Sequence, residues 1–180
     1  PSSYTAQSLV AWLSGRLAST LYRSGVFFTN YPKSNLFFPE VLAEKQIRTI
    51  GWFSHMYFGR GKGLDQGFDV WELVPGLTFD PQTCNHVTSD KMLVLGQKLL
   101  GDPKNTSQRF FAWGHFGDPH DVYIKHSEAP DFGNKNRDRY DSEIWYTDLH
   151  VGRLLDWLKT QPFGKQTAVI ITGDHGEAFG

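Results

Sequence analysis

A carboxylate and an imidazole stand next to each other at Asp174 and His175, between glycines 173 and 176. They follow the apolar run 167–172, which predicts a strand buried on both faces of a parallel sheet. Ligands of open α/β sheets bind at the carboxyl ends of the strands, and an Asp–His pair there can supply half of a metal site. The alternative is a polar turn after the strand, in which His175 caps a helix.

Three further histidines follow predicted strands and are candidates for the same site. The run 109–113 predicts a second buried strand, and His120 lies just beyond its end, after the strand-breaking pair at 118–119. His115 lies five residues before His120, where it is either a supporting group of the site or a hydrogen-bonded core histidine. His55 follows the predicted strand 48–53, as an oxyanion contact or as a histidine without a function.

The elements that must position these residues alternate between strands and helices. Periodicity and turn signals predict strands at 26–29, 48–53, 68–73, 109–113 and 167–172. They also predict a first helix that begins after an N-cap at 2–3 and continues to 21, and further helices at 37–46, 88–100 and 138–158. Such alternation indicates an α/β fold with a doubly wound, largely parallel sheet flanked by helices on both faces.

Composition excludes several classes of protein. The 180 residues include 18 basic and 19 acidic side chains, for a net charge of -1, so no electrostatic footprint for nucleic acid or an anionic membrane is present. A single cysteine, Cys84, excludes an internal disulfide framework and a Cys-based zinc cluster. No apolar run approaches the roughly 20 residues that span a bilayer. Because Pro1 and Gly180 interrupt structured patterns, we expect an internal fragment of one domain.

Five segments, in this order, resemble the sulfatase family of the alkaline phosphatase superfamily. The segments are Thr5–Ser8 with Leu13–Arg16, Gly67–Asp69, Asp118–His120 with Tyr123, Arg139–Leu155, and Thr172–Glu177. The resemblance implies an alkaline phosphatase-like fold and one catalytic domain over 1–180. It also implies that this fragment lacks the first strand, with its paired aspartates, and the C-terminal part, with a lysine.

Carried over position by position, the resemblance implies a role for each candidate. Asp174 and His175 would bind one or two divalent ions, Thr5 would stand at the nucleophile position, and His120 would contact the leaving group or a non-bridging oxygen. A divalent cation polarises the ester and activates a coordinated hydroxyl, and a histidine can protonate the departing alkoxide because imidazole titrates near neutral pH. His55 stands near the family's missing Lys-Trp-His segment.

The chain departs from the family pattern at its nucleophile. Thr5 replaces the modifiable cysteine or serine, Gln7 the following proline and Leu9 the arginine. Threonine cannot be oxidised to an aldehyde hydrate, so no formylglycine is expected at Thr5. His175 stands where calcium sulfatases carry Asn, and imidazole suits manganese or zinc better than calcium. Both departures favour phosphate esters over sulfate esters.

The sequence therefore predicts a metal-dependent hydrolase of sulfate or phosphate esters that are small molecules or are linked to a glycan or lipid. One alternative is a phosphodiesterase or phosphoethanolamine-type transferase with a threonine nucleophile. Another is a catalytically silent binding module with the same fold. We expect the fragment to be inactive by itself, and the resemblance implies a periplasmic or secreted bacterial protein with no nucleic-acid partner.

Overall fold

Three parallel strands form a sheet in the computed structural model, which describes residues 2–25, 29–77 and 87–179. The strands are β1 (Arg48–Phe53), β2 (Val70–Leu73) and β3 (Phe110–His115), in the order β2-β1-β3. Ile50 of β1 is in register with Val70 on one side and with Ala112 on the other. Parallel pairing brings the carboxyl ends of the three strands to one edge, as the alternation of elements predicts.

Five α-helices accompany the sheet in the described residues. They are α1 (Thr5–Ser14), α2 (Phe38–Glu44), α3 (Ser89–Gly101), α4 (Pro103–Thr106) and α5 (Asn136–Thr160). Short 3₁₀ turns cover Ala18–Thr20, Met56–Phe58 and Gly164–Gln166. Helices α1 and α2 are shorter than predicted. Helix α1 ends because Gly15 takes the left-handed conformation, φ 64°, and its N–H bonds to the Ala11 carbonyl.

The side chains of the strands divide between two hydrophobic clusters, one on each face of the sheet. Phe53 and Trp71 join a cluster with Leu9, Val10 and Leu13 of α1. Ile50 and Trp52 of β1 join another cluster with residues of α3 and Leu154 of α5. This division follows from the alternation of side chains along a strand. The protein is therefore an α/β protein with helices on both faces of a parallel sheet, as predicted.

The run 167–172 is not a strand, so the prediction of a buried strand there is wrong. Val169, Ile170 and Ile171 are 51%, 88% and 67% exposed, and no described strand pairs with the run. A cavity of about 1960 Å³ separates it from β3 and α5. Apolar β-branched residues favour a strand, but a ladder forms only where a neighbouring backbone edge lies within hydrogen-bonding distance.

The predicted strand 26–29 lies largely outside the described residues, since only Thr29 of the four is described. Beside it, Ser24 and Asn30 form an isolated antiparallel bridge.

Candidate functional site

Thr5 begins helix α1 and lines the cavity. Tyr4 before it is extended, and its side chain makes no capping hydrogen bond to α1. Leu9 and Leu13 are buried on the inner face of the helix and fix its position against the sheet. The partial positive charge of a helix N-terminus lies beside the Thr5 hydroxyl, where it favours an anionic group.

The side chains of Thr5 and His175 are in direct contact although they are 170 residues apart. The Thr5 Oγ1 and His175 Nε2 atoms are 3.1 Å apart, and His175 Nδ1 lies 2.9 Å from the Gly176 carbonyl oxygen. Because a carbonyl can only accept, Nδ1 carries the donated proton and Nε2 of the neutral ring keeps a lone pair directed at Thr5. Asp174 Oδ2 is 3.5 Å from the same nitrogen. The Thr5 hydroxyl thus faces an imidazole nitrogen that has a carboxylate beside it.

His55 and His120 stack across the same cavity, with ring centroids 5.8 Å apart. His55 Nδ1 accepts a 3.0 Å hydrogen bond from the Tyr57 backbone N–H, so Nε2 of the neutral ring carries the proton and is a donor. His120 Nδ1 lies 2.7 Å from the Asp121 carbonyl oxygen and donates to it. The two imidazoles therefore have different proton arrangements: His55 is a donor at Nε2, and His120 is a donor there only when its ring is charged.

His115 ends β3 and joins this group electrostatically. The Ser54 hydroxyl donates to its carbonyl oxygen over 3.2 Å, which ties the ends of β1 and β3 together. Burial lowers the pKa of His115 to about 4; the Asp174 carboxylate opposes this shift, and His55 and His175 add to it. His115 is therefore neutral near pH 7 and adds no positive charge to the site.

A hydrogen bond between side chains connects the loop after His120 to the segment after His175. The Tyr123 hydroxyl donates to Glu177 Oε2 over 2.5 Å. Burial, followed by this hydrogen bond and the Glu177 charge, raises the pKa of Tyr123, and the same bond lowers the pKa of Glu177. The two segments that carry the predicted site residues are thereby linked.

The structure brings Thr5, His55, His115, His120, Asp174 and His175 to one cavity. Within residues 2–25, 29–77 and 87–179, no group of three or more His, Cys, Asp and Glu side chains is arranged to hold a metal ion. Asp174 and His175 do have suitable chemistry for two ligands, because the bond from Nδ1 to Gly176 leaves Nε2 able to ligate. The donors of Asp174 and His175 thus fit part of a metal site.

Two buried carboxylates near His120, Asp118 and Glu143, were not predicted as site residues from the sequence. Asp118 accepts hydrogen bonds from the backbone N–H groups of Thr88 and Ser89, and Glu143 of α5 accepts from the loop that carries His120. Helical spacing is the signal that could have revealed Glu143, because it lies eleven residues before the buried Leu154 and on the same face of α5.

A match to a known family spans the whole chain. The model of the family described as Sulfatase matches residues 1–180. No curated protein matches the chain, and no solved structure matches it. Within the described residues, no helix is both long enough and apolar enough to cross a membrane. With this match over its full length and with its α/β architecture, the chain belongs to the sulfatase family.

Proposed function

We propose that this protein is a metal-dependent hydrolase of sulfate or phosphate esters in which Thr5 is the nucleophile. The observation that carries the proposal is the 3.1 Å contact between Thr5 Oγ1 and His175 Nε2 inside a cavity that also contains His55 and His120. A hydroxyl next to donors for a divalent ion, in a cavity with further hydrogen-bonding groups, is an arrangement that suits covalent ester hydrolysis.

Each residue has a defined part in the proposed reaction. The Thr5 hydroxyl gives its proton to bulk water, its oxygen attacks the sulfur or phosphorus atom, and the bond from that atom to the ester oxygen breaks. His120, in its charged form, gives a proton to the departing alkoxide. His55, a donor at Nε2, stabilises a negatively charged non-bridging oxygen. Water then cleaves the threonine ester and restores the hydroxyl.

Asp174 and His175 would hold the divalent ion in this proposal, next to Thr5. The lone pair of His175 Nε2, which lies 3.1 Å from the Thr5 hydroxyl, would then ligate the ion and would no longer accept from that hydroxyl. When bound, such an ion polarises the oxygens of the ester and stabilises the ionised hydroxyl. A carboxylate oxygen and an imidazole nitrogen together suit manganese or zinc better than calcium, which prefers oxygen ligands alone.

Phosphate ester chemistry is the second candidate function, in a phosphodiesterase or a phosphoethanolamine-type transferase. It is favoured by an unmodified threonine hydroxyl at the nucleophile position and by a nitrogen ligand at position 175. A threonine cannot form the aldehyde hydrate of formylglycine sulfatases, whereas its hydroxyl can attack phosphorus directly.

A metal-reconstitution assay separates these functions. The full-length protein is stripped of metal, reloaded with calcium, manganese or zinc, and assayed on an aryl sulfate, an aryl phosphate monoester and an aryl phosphodiester. Dominant phosphodiester turnover with manganese or zinc would support the phosphate assignment. Dominant sulfate turnover would support a sulfatase that uses an unmodified threonine. Absence of turnover on all three substrates would contradict the proposal and favour the binding module.

A further inference from the structure

Glu143 of α5 is a fully buried carboxylate whose two oxygens contact the loop that carries His120. Its Oε2 accepts a 3.2 Å hydrogen bond from the His120 backbone N–H, and its Oε1 accepts a 2.9 Å bond from the Ile124 backbone N–H. Its exposed fraction is 0%. One side chain on a long helix therefore holds both ends of the segment 120–124.

Burial of the Glu143 carboxylate carries an unfavourable desolvation free energy. Removing a charge from water is strongly unfavourable unless hydrogen bonds compensate. Burial raises the pKa of Glu143 to about 7, although the two N–H bonds oppose this shift, and the charges of Asp118 and Asp121 in the facing loop add to it. The group can therefore change its protonation state near neutral pH.

The two protonation states offer different contacts to the loop. The carboxylate has only acceptors, so both oxygens can receive an N–H donor. In the protonated acid, one oxygen carries a hydrogen. This O–H group then lies against the backbone N–H from which that oxygen accepted, so two donors face each other. One of the two hydrogen bonds is weakened, and an N–H group is left without a full acceptor in a buried place, which is unfavourable.

We propose that Glu143 is a positioning residue that holds His120 in place through the His120 and Ile124 N–H groups, and that it releases this hold when it binds a proton. The expected effect on catalysis rests on the proposed function, in which His120 protonates the leaving group. The hydrogen bonds from the two amides to Glu143 do not depend on that function. A carboxylate on α5 thereby makes the geometry of the site depend on pH.

The substitution Glu143→Gln tests the inference, because glutamine keeps the shape and one acceptor but replaces the other oxygen with a donor. It mimics the protonated acid at every pH. Asp138→Asn is a matched control: Asp138 lies on the same helix and also accepts a backbone N–H, from Lys135 over 2.8 Å, but it holds the start of α5 and not the His120 loop.

Amide hydrogen exchange gives a readout that needs no activity. In the wild-type protein, we expect at least one of the His120 and Ile124 amides to lose protection between pH 8 and pH 6, relative to amides inside α5 and after correction for intrinsic rates. In the Glu143→Gln protein, which keeps only one acceptor, we expect at least one of these two amides to exchange rapidly at all pH values, with α5 unaffected. Unchanged protection at both amides in this variant, or protection in the wild type that does not depend on pH, would overturn the proposal.

Kinetics of the full-length enzyme then test the consequence. We expect kcat of Glu143→Gln to fall by about 10²-fold, as for a misplaced catalytic group, with a smaller change in KM. The acid limb of the wild-type kcat profile near pH 7 should be absent in this variant and retained in Asp138→Asn. A retained limb would refute the role of Glu143 in positioning. Absence of turnover in the wild type would refute the proposed function, and the exchange result would still decide the hold on the loop.

Discussion

Proton placement distinguishes the histidines of the cavity from one another at the scale of single residues. Backbone groups fix His55 as a donor at Nε2, through the N–H of Tyr57, and fix His175 as an acceptor at Nε2, through the carbonyl of Gly176. The acceptor faces the Thr5 hydroxyl at 3.1 Å. Ester cleavage needs both kinds of group: an acceptor or metal ligand beside the attacking hydroxyl, which His175 provides, and a donor in the same cavity, which His55 provides.

Substitution of Thr5 tests its assignment as the nucleophile. We expect Thr5→Ala to lower kcat/KM of the full-length enzyme by at least about 10³-fold, because removal of a nucleophile abolishes the covalent path. Thr5→Ser keeps the hydroxyl and should keep most of the turnover. Calorimetric titration with manganese should show that both variants still bind the metal, since Asp174 and His175 remain. Wild-type turnover in Thr5→Ala would remove Thr5 from the nucleophile position.

The sequence allowed the residues of the cavity to be predicted better than their contacts. Asp174, His175 and His120 could be found because each stands in a motif that follows an apolar run, and motifs are local. The contact of Thr5 with His175 joins residues 170 positions apart, so no spacing could reveal it. Glu143 was missed because a carboxylate on a helix is usually solvated, and its burial depends on a loop that folds over it.

At the scale of elements, Trp52 shows how the sheet and α3 fit together. Trp52 on β1 is opposite Gly114 on β3, and its indole also contacts Gly96 on α3. A Cβ at Gly114 would lie 2.5 Å from the ring, and a Cβ at Gly96 would lie 3.1 Å from it. The two glycines thus make space for one large side chain in the cluster between the sheet and α3.

A methyl group at Gly114 should therefore destabilise the sheet. We expect Gly114→Ala to lower the free energy of unfolding by about 1–3 kcal/mol, the usual cost of overpacking a core. Gly152→Ala on α5 is the control, because no atom lies within 4 Å of its added Cβ, and alanine should raise helix stability by up to about 1 kcal/mol. Urea denaturation measures both variants. Equal stability of the two would mean that β1 and β3 can separate to admit the methyl group.

The length of a sequence pattern and the turn residues at its ends explain which strands and helices could be predicted. Strand β1 has the predicted bounds of 48–53, and α3 and α5 lie within a few residues of theirs, because their patterns are long and their ends carry turn residues. The run 167–172 has an equally clear apolar pattern but no paired strand in the described structure. A pattern of apolar residues specifies what a segment prefers to bury, and pairing depends on where the rest of the sheet lies.

At the scale of the whole molecule, His115 and Glu143 make stability depend on pH in opposite directions. The pKa of His115 falls from 6.5 to about 4 in the folded protein, so the unfolded chain binds more protons between those values and stability rises with pH. The pKa of Glu143 rises from 4.5 to about 7, so the folded protein binds more protons in that range and stability falls as pH rises. Their effects partly cancel in the wild type, which is why variants are needed.

Chemical denaturation of the wild type, His115→Asn and Glu143→Gln at several pH values separates the two effects. The free energy of unfolding of the wild type minus that of His115→Asn should increase as pH rises from 4 to 6.5, and the difference from Glu143→Gln should decrease as pH rises from 4.5 to 7. Each slope is at most about 1.4 kcal/mol per pH unit, the value for one proton. Groups that titrate alike in all three proteins cancel in these differences. A difference that does not change with pH would mean that the substituted group has the same pKa in the folded and unfolded chains, and a slope of opposite sign would mean that the fold stabilises its charged form.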